Sequence, residues 1–101
     1  MTEKALRLLG LGLRAQTVVI GVSGVRAALQ RGTVHCVVVA ADASPRTEDK
    51  VARSARGRGI PLLVGPAAER LGQALGRPPV QAVGVTDGAL ARGVLAASGG
   101  V

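Results

Sequence analysis

Six consecutive apolar residues, CVVVAA at 36–41, stand near the middle of this chain with no charge among them. With Val34 they extend an apolar segment over 34–41. A run this short and this rich in valine is a strand buried on both faces, the kind found inside an α/β sheet with helices above and below. The next residues, Asp42-Ala43-Ser44-Pro45, open a helix, with Ser44 at the N-cap and Pro45 at the first helical position. That helix runs to about residue 58, where Gly59 closes it.

The same alternation holds on both sides. Residues 3–14 place Ala5, Leu6, Leu8, Leu9 and Leu13 near helical spacing. Gly10 and Gly12 lower the helical propensity of this segment, so something packs closely there. Residues 17–20 are a β-branched strand stub ended by Gly21. Ser23 caps a helix to about residue 31, closed by Gly32. Residues 60–64 and 80–85 read as two further strands, the first of them buried. Between them Pro66 opens a helix that Gly76 stops. Asp87 caps a last helix over 88–97, and residues 98–101 should fray. Strands alternating with helices predict an α/β sheet covered on both faces. No linker, low-complexity segment or solenoid repeat interrupts it, so residues 1–101 form a single domain.

Composition narrows the function. The chain has no Phe, Tyr or Trp, so its core is built from Val, Leu, Ile and Ala. The same absence removes the aromatic platforms on which many single-strand binders stack bases. A single Cys excludes an internal disulfide and a cysteine-based zinc site, and a single His excludes a His pair. Neither a metal nor another cofactor is expected, and the low cysteine content fits a reducing cytoplasm. The longest apolar run is far too short to span a membrane. Lys4 and Arg7 before LLGLGL resemble a signal peptide, but Arg14 cuts the run and no A-x-A site follows, so export is rejected.

Thirteen Lys and Arg oppose six Asp and Glu, a net charge of +7. On so small a domain that surplus suits a polyanion, nucleic acid first. An acidic protein partner, or an arginine-rich coding bias without a binding role, gives the same arithmetic.

Catalysis finds little support. Gly21-Val22-Ser23-Gly24-Val25 falls short of G-x-S-x-G, and the one available base, His35, sits in the apolar strand. Asp42 and Asp87 follow strands where α/β proteins place functional groups, but both also precede helices and read as caps. Gly10 and Gly12 do not begin a G-x-G-x-x-G, and no G-K-[ST] occurs. Cys36 reads as a small buried hydrophobe. What remains is binding. The turn at Gly21, Val22, Ser23 and Gly24 offers backbone N–H groups at a helix start, which attract phosphate. Arg26 and Arg31 follow on the same helix. Arg46, Lys50 and Arg53 recur at i, i+4, i+7 on the next one, with Arg56 nearby; such a stripe ordinarily means a solvated face.

Four segments in this order carry a resemblance. LLGLGLRAQTVVIG at 8–21 is similar to an L-x-L-A-x-R-A-G-K-x-x-x-G opening, and GVRAALQRG at 24–32 to V-x-x-A-x-x-x-G. VVVAADASPRTEDKV at 37–51 fits a strand followed by A-x-D-A-S-x-x-T-x-x-K. GIPLLV, RLGQALG and AVGVTDGALARGVL fit the closing half. The pattern resembles the ribosomal-protein family that binds kink-turn RNA, most closely its bacterial YlxQ-like branch, and extends in colinear order over residues 5–95.

The resemblance implies a three-layer α/β/α sandwich around a small mixed sheet, and a non-catalytic, cytoplasmic, monomeric protein. Its partner would be structured RNA, such as ribosomal RNA, alongside ribosomal or assembly proteins. It implies that Gly21, Val22, Ser23 and Gly24 lie against the bent RNA backbone. Arg26, Arg31 and Arg77 would neutralise phosphates, and Pro79, Val80 and Gln81 would wall the unstacked nucleotides. The strong binders carry G-[TA]-N-E where this chain has Gly21, Val22, Ser23 and Gly24, and a basic residue where it has Ala27. A bidentate contact to a base edge supplies about 1–3 kcal/mol; Gly24 offers none and Ser23 one hydroxyl, so backbone and shape recognition should dominate. The same departures suit a protein-interaction module of a ribonucleoprotein that keeps the fold and has lost specific kink-turn binding. An accessory domain of an RNA-modifying enzyme is a third reading.

Overall fold

The computed structural model of the protein describes residues 1–98; residues 99–101, most of the stretch expected to fray, lie outside the described residues. The elements run α1 (Glu3–Arg14), β1 (Val18–Ile20), α2 (Val22–Arg31), β2 (Cys36–Val39), α3 (Pro45–Gly57), β3 (Leu62–Val64), α4 (Ala68–Leu75), β4 (Ala82–Val85) and α5 (Gly88–Ala97). Side chains placed at the helix starts explain several of these boundaries. The Thr2 hydroxyl accepts from the Ala5 N–H, Ser44 from Thr47 at 3.1 Å, and Asp87 from Leu90 at 2.8 Å.

The four strands form one mixed sheet in the order β1-β4-β2-β3. β4 is antiparallel to both β1 and β2, and β3 is parallel to β2. Three strands therefore run one way and β4 runs against them. Because side chains alternate across a strand, the sheet feeds two cores. Cys36 and Val38 of β2, with Val83 and Val85 of β4, join Leu6, Leu9, Leu71 and Val94 under α1, α4 and α5. Val37 and Val39, with Ala82, join Val25, Leu29 and Val51 under α2 and α3. This is the three-layer α/β/α sandwich that the resemblance implies. The bulkiest fully buried side chains are the leucines Leu9, Leu29 and Leu71. Burial pushes the Cys36 thiol up to about 11, so it stays protonated as a packing residue.

Several expectations need correction. The buried strand over 34–41 shortens to Cys36–Val39, and the strand over 80–85 to Ala82–Val85. The strand expected buried over 60–64 is the sheet edge: Leu62 and Leu63 are half-buried and Val64 is 64% exposed. It has a neighbour on one side only, which its apolar sequence does not reveal. Ser23 is not a cap. Gly21 is the N-cap residue of α2, and α2 begins two residues earlier than a Ser23 cap requires.

The close packing expected at Gly10 and Gly12 is present. A Cβ on Gly10 would lie 3.0 Å from the Ala74 carbonyl oxygen, and one on Gly12 would press into Leu90 and Val18. Just beyond α1, Gln16 adopts φ 63°, the sole non-glycine with positive φ among the described residues. A left-handed conformation costs an L-residue about 1–2 kcal/mol, and the Gln16 side chain is exposed. Gln16→Gly is therefore expected to raise stability by about 1 kcal/mol, less the glycine's greater entropy in the unfolded chain. Urea unfolding would show this as a higher midpoint at unchanged slope.

Candidate nucleic-acid interface

Strand direction gathers three helix starts at one rim. β1, β2 and β3 all end on the side where β4 begins, as the pairs Ile20↔Val83, Val39↔Ala82 and Val39↔Val64 show. The helices that follow those strands, α2, α3 and α4, therefore all start at this rim. Open α/β sheets place ligands outside the carboxyl ends of their parallel strands.

The turn into α2 lies on this rim. Gly21 holds φ 94° and ψ 156°, a region essentially reserved for glycine. Its N–H donates to the Ala82 carbonyl at 2.9 Å, and its own carbonyl accepts from Val25 at 2.9 Å. The N–H groups of Val22, Ser23 and Gly24 are then the orphan donors of the first helical turn. No side-chain oxygen caps them and no acidic residue lies in that turn. A Cβ at Gly24 would come 2.8 Å from Val19 Cγ1, so the turn lies close to the sheet.

The start of α4 is treated differently. Asp42, read in the sequence as a cap for the helix that follows it, instead accepts from the Ala68 N–H at 2.7 Å. A side-chain cap of this kind contributes about 1 kcal/mol. The contact spans 26 residues, so no local pattern could have revealed it. Asp87 caps α5 as its position predicts.

The segment between α4 and β4 folds back along α4. The Arg77 N–H bonds Gly72 O at 2.8 Å, and the Val80 N–H bonds Ala68 O at 3.0 Å. Gln81 then reaches the rim, where its carbonyl accepts from Ala40 at 2.9 Å, one residue before the carbonyl that holds Gly21. The sheet thus brings Gly21, Val22, Ser23, Gly24 and Gln81 to one place. Pro79 and Gln81 are exposed, Gln81 beside the turn, and Arg26 is exposed on the second turn of α2. Val80 cannot be part of an outer wall: it is 5% exposed and belongs to the core beneath α1, α4 and α5. Arg77 lies beside Gly72, farther from the turn than Gln81. Arg31 ends α2, about 14 Å down the helix from Val22 at 1.5 Å per residue. A cation in a last helical turn is favoured there by the helix dipole. His35 precedes β2 at the opposite rim, so it and Ser23 make no catalytic pair.

One arrangement is not visible in the sequence. α2 packs beside α3, and the cleft between them is lined by Arg26 from α2 with Asp49, Lys50, Arg53 and Ser54 from α3. The spacing of Lys50 and Arg53 is legible along the chain, but their meeting with Arg26 depends on how two helices pack.

This α/β/α sandwich has known counterparts. The chain belongs to the Ribosomal protein L7Ae/L30e/S12e/Gadd45 family, which matches over residues 3–93. An RNA-binding protein of Bacillus pumilus (strain SAFR-032) is 36% identical over 63 residues, 62% of this chain and 77% of that protein. Among solved structures, a protein with unknown function from Bacillus halodurans C superimposes with a TM-score of 0.90 at 32% identity, covering 95% of this chain and 97% of the other. The Giardia lamblia 15.5kD RNA binding protein has a TM-score of 0.82 at 23% identity, covering 100% of this chain and 90% of the other, a likeness of fold.

Proposed function

We propose that this protein is a non-catalytic, monomeric RNA-binding protein of the cytoplasm, and that it grips the bent backbone of kink-turn-like RNA in ribosomal or other structured RNA. The observation that carries this reading is the shared rim. The Gly21 N–H bonds the Ala82 carbonyl at 2.9 Å, which sets three unpaired α2 donors beside the exposed Gln81. An uncapped helix start offers N–H groups and partial positive charge to phosphate. Arg26 adds a full charge one turn further on. Membership of the family and the likeness to an RNA-binding protein of Bacillus pumilus support the same reading.

With Ser23 and Gly24 in the turn, recognition relies on backbone shape more than on base edges. Titration into a labelled kink-turn RNA, and into the same RNA with its G·A pairs replaced, tests this at two salt concentrations. The expected result is tighter binding to the intact kink-turn, with a preference that survives at higher salt. Equal affinities that fall together as salt rises would leave a basic surface without kink-turn recognition and favour the protein-interaction module.

A further inference from the structure

We infer that the outer face of the α2–α3 layer is a second RNA contact, a track for the phosphate backbone of a duplex arm leaving the turn at Gly21. The inference rests on the RNA-binding reading above and extends it to a surface that the turn does not include.

Charge distribution is the first argument. Counted with their caps, α2 and α3 carry seven Lys and Arg against two acids, Glu48 and Asp49. The three helices of the opposite layer carry five against three. Two helices on one face thus hold a surplus of five, of the +7 on the whole chain. Like charges gathered on one surface repel, so a surplus held on one face favours a polyanion there over the solvated face that the α3 stripe alone suggests.

Geometry is the second. Arg26 from α2 meets Lys50 and Arg53 from α3 around one cleft, opposed only by Asp49, whose carboxylate pairs with Arg53 at 2.7 Å. Arg46, Lys50 and Arg53 follow one helical face, and Arg56 extends the stripe to about 15 Å along α3. A nucleic-acid duplex presents one charge per roughly 1.7 Å of axis, so the stripe can meet several phosphates.

Continuity is the third. α2 and α3 both start at the rim, with Arg46 in the first turn of α3. An RNA seated on Gly21 and passing Arg26 has the stripe directly ahead of it. The chain has no Phe, Tyr or Trp, so this face offers no aromatic platform for unpaired bases, and a duplex backbone fits its chemistry better than a single strand.

The test uses the triple variant Arg46→Ala, Lys50→Ala, Arg56→Ala, all exposed positions; Arg53 is kept because it pairs with Asp49. Wild type and variant are titrated into a short-armed kink-turn RNA, into the same RNA with one arm longer by about one helical turn, and into the long arm as a plain duplex. Thermal melts confirm equal folding. On the long-armed RNA the variant should bind about 10- to 100-fold more weakly and lose roughly 2–3 from the log–log salt slope, near 0.9 per phosphate contact. On the short-armed RNA its affinity should be unchanged.

Identical behaviour of variant and wild type on the long arm would overturn the track. Equal weakening on both kink-turn RNAs would overturn it too, since the stripe would then act as a diffuse field. If wild type shows no kink-turn preference but the variant still loses slope on the plain duplex, the turn reading fails and the track stands. Binding of the stripe to an acidic peptide, with no response to arm length, would assign the face to a protein partner instead.

Discussion

Gly72→Ala is expected to lower the melting temperature by about 5–15 °C, on the scale of 4–8 °C per kcal/mol for a domain of this size. Gly72 lies on the buried face of α4 where the returning segment crosses it. A Cβ there would run into the Pro78 carbonyl oxygen and stand 2.8 Å from that of Arg77. Both obstacles are backbone, so no rotamer change relieves them. Alanine gains about 0.8–1.0 kcal/mol in helix propensity over glycine. Displacing a backbone segment costs more, because forced overpacking runs to 1–3 kcal/mol and occasionally beyond. With both obstacles backbone the cost falls in the upper part of that range, and the net loss should be about 1–2 kcal/mol. The segment also loses its seat, since the bond from Arg77 to Gly72 O and the contact at Ala68 fix its path. Thermal unfolding followed by far-ultraviolet circular dichroism gives the first effect. RNA titration at a temperature where the variant is folded gives the second. An unchanged melting temperature would mean that the segment moves aside at little cost.

Gly21→Ala is the second large effect, and its signature differs. At φ 94° and ψ 156° an alanine is strained by about 1–3 kcal/mol. The chain either bears the strain or re-forms the turn, and re-forming it breaks the bond to Ala82 O and re-aims the α2 donors. Affinity for kink-turn RNA should then fall at least tenfold under conditions where the variant remains folded. Gly32→Ala is the control. Gly32 has φ 75° at the other end of α2, so alanine there is also strained, but it leaves the turn in place. If both variants lose stability and only Gly21→Ala loses affinity, the turn is the contact. Equal affinity losses would place the effect in general destabilisation of α2.

Much of the fold was legible because local chemistry decides it. Ser44-Pro45 starts α3 where the pair predicts, and α1 spans Glu3–Arg14 as its leucine spacing requires. The edge position of β3 was not legible: apolar residues mark a strand, and only the strand order decides how many neighbours it has. Val80 reads as the start of a strand and, with Pro79 and Gln81, as part of a wall for nucleotides, until the hydrogen bond to Ala68 and its burial place it in the core. Ser23 reads as a cap because the conformation of Gly21, which starts the helix early, has no sequence signature beyond the glycine itself. At the candidate site, the turn was legible from its glycines and the α3 stripe from its spacing. The meetings of Gln81 with the turn, of Asp42 with α4, and of Arg26 with Lys50 are products of topology.

The all-aliphatic core has an optical consequence. With leucines as its largest fully buried side chains and no indole, phenol or phenyl ring anywhere in the chain, the protein is nearly transparent in the near ultraviolet, while nucleobases absorb strongly there. In any preparation the absorbance in that window therefore belongs almost wholly to what the protein carries. RNA retained through purification would appear as a nucleobase band on a dark background, and its spectrum would reach the detector undistorted by the host.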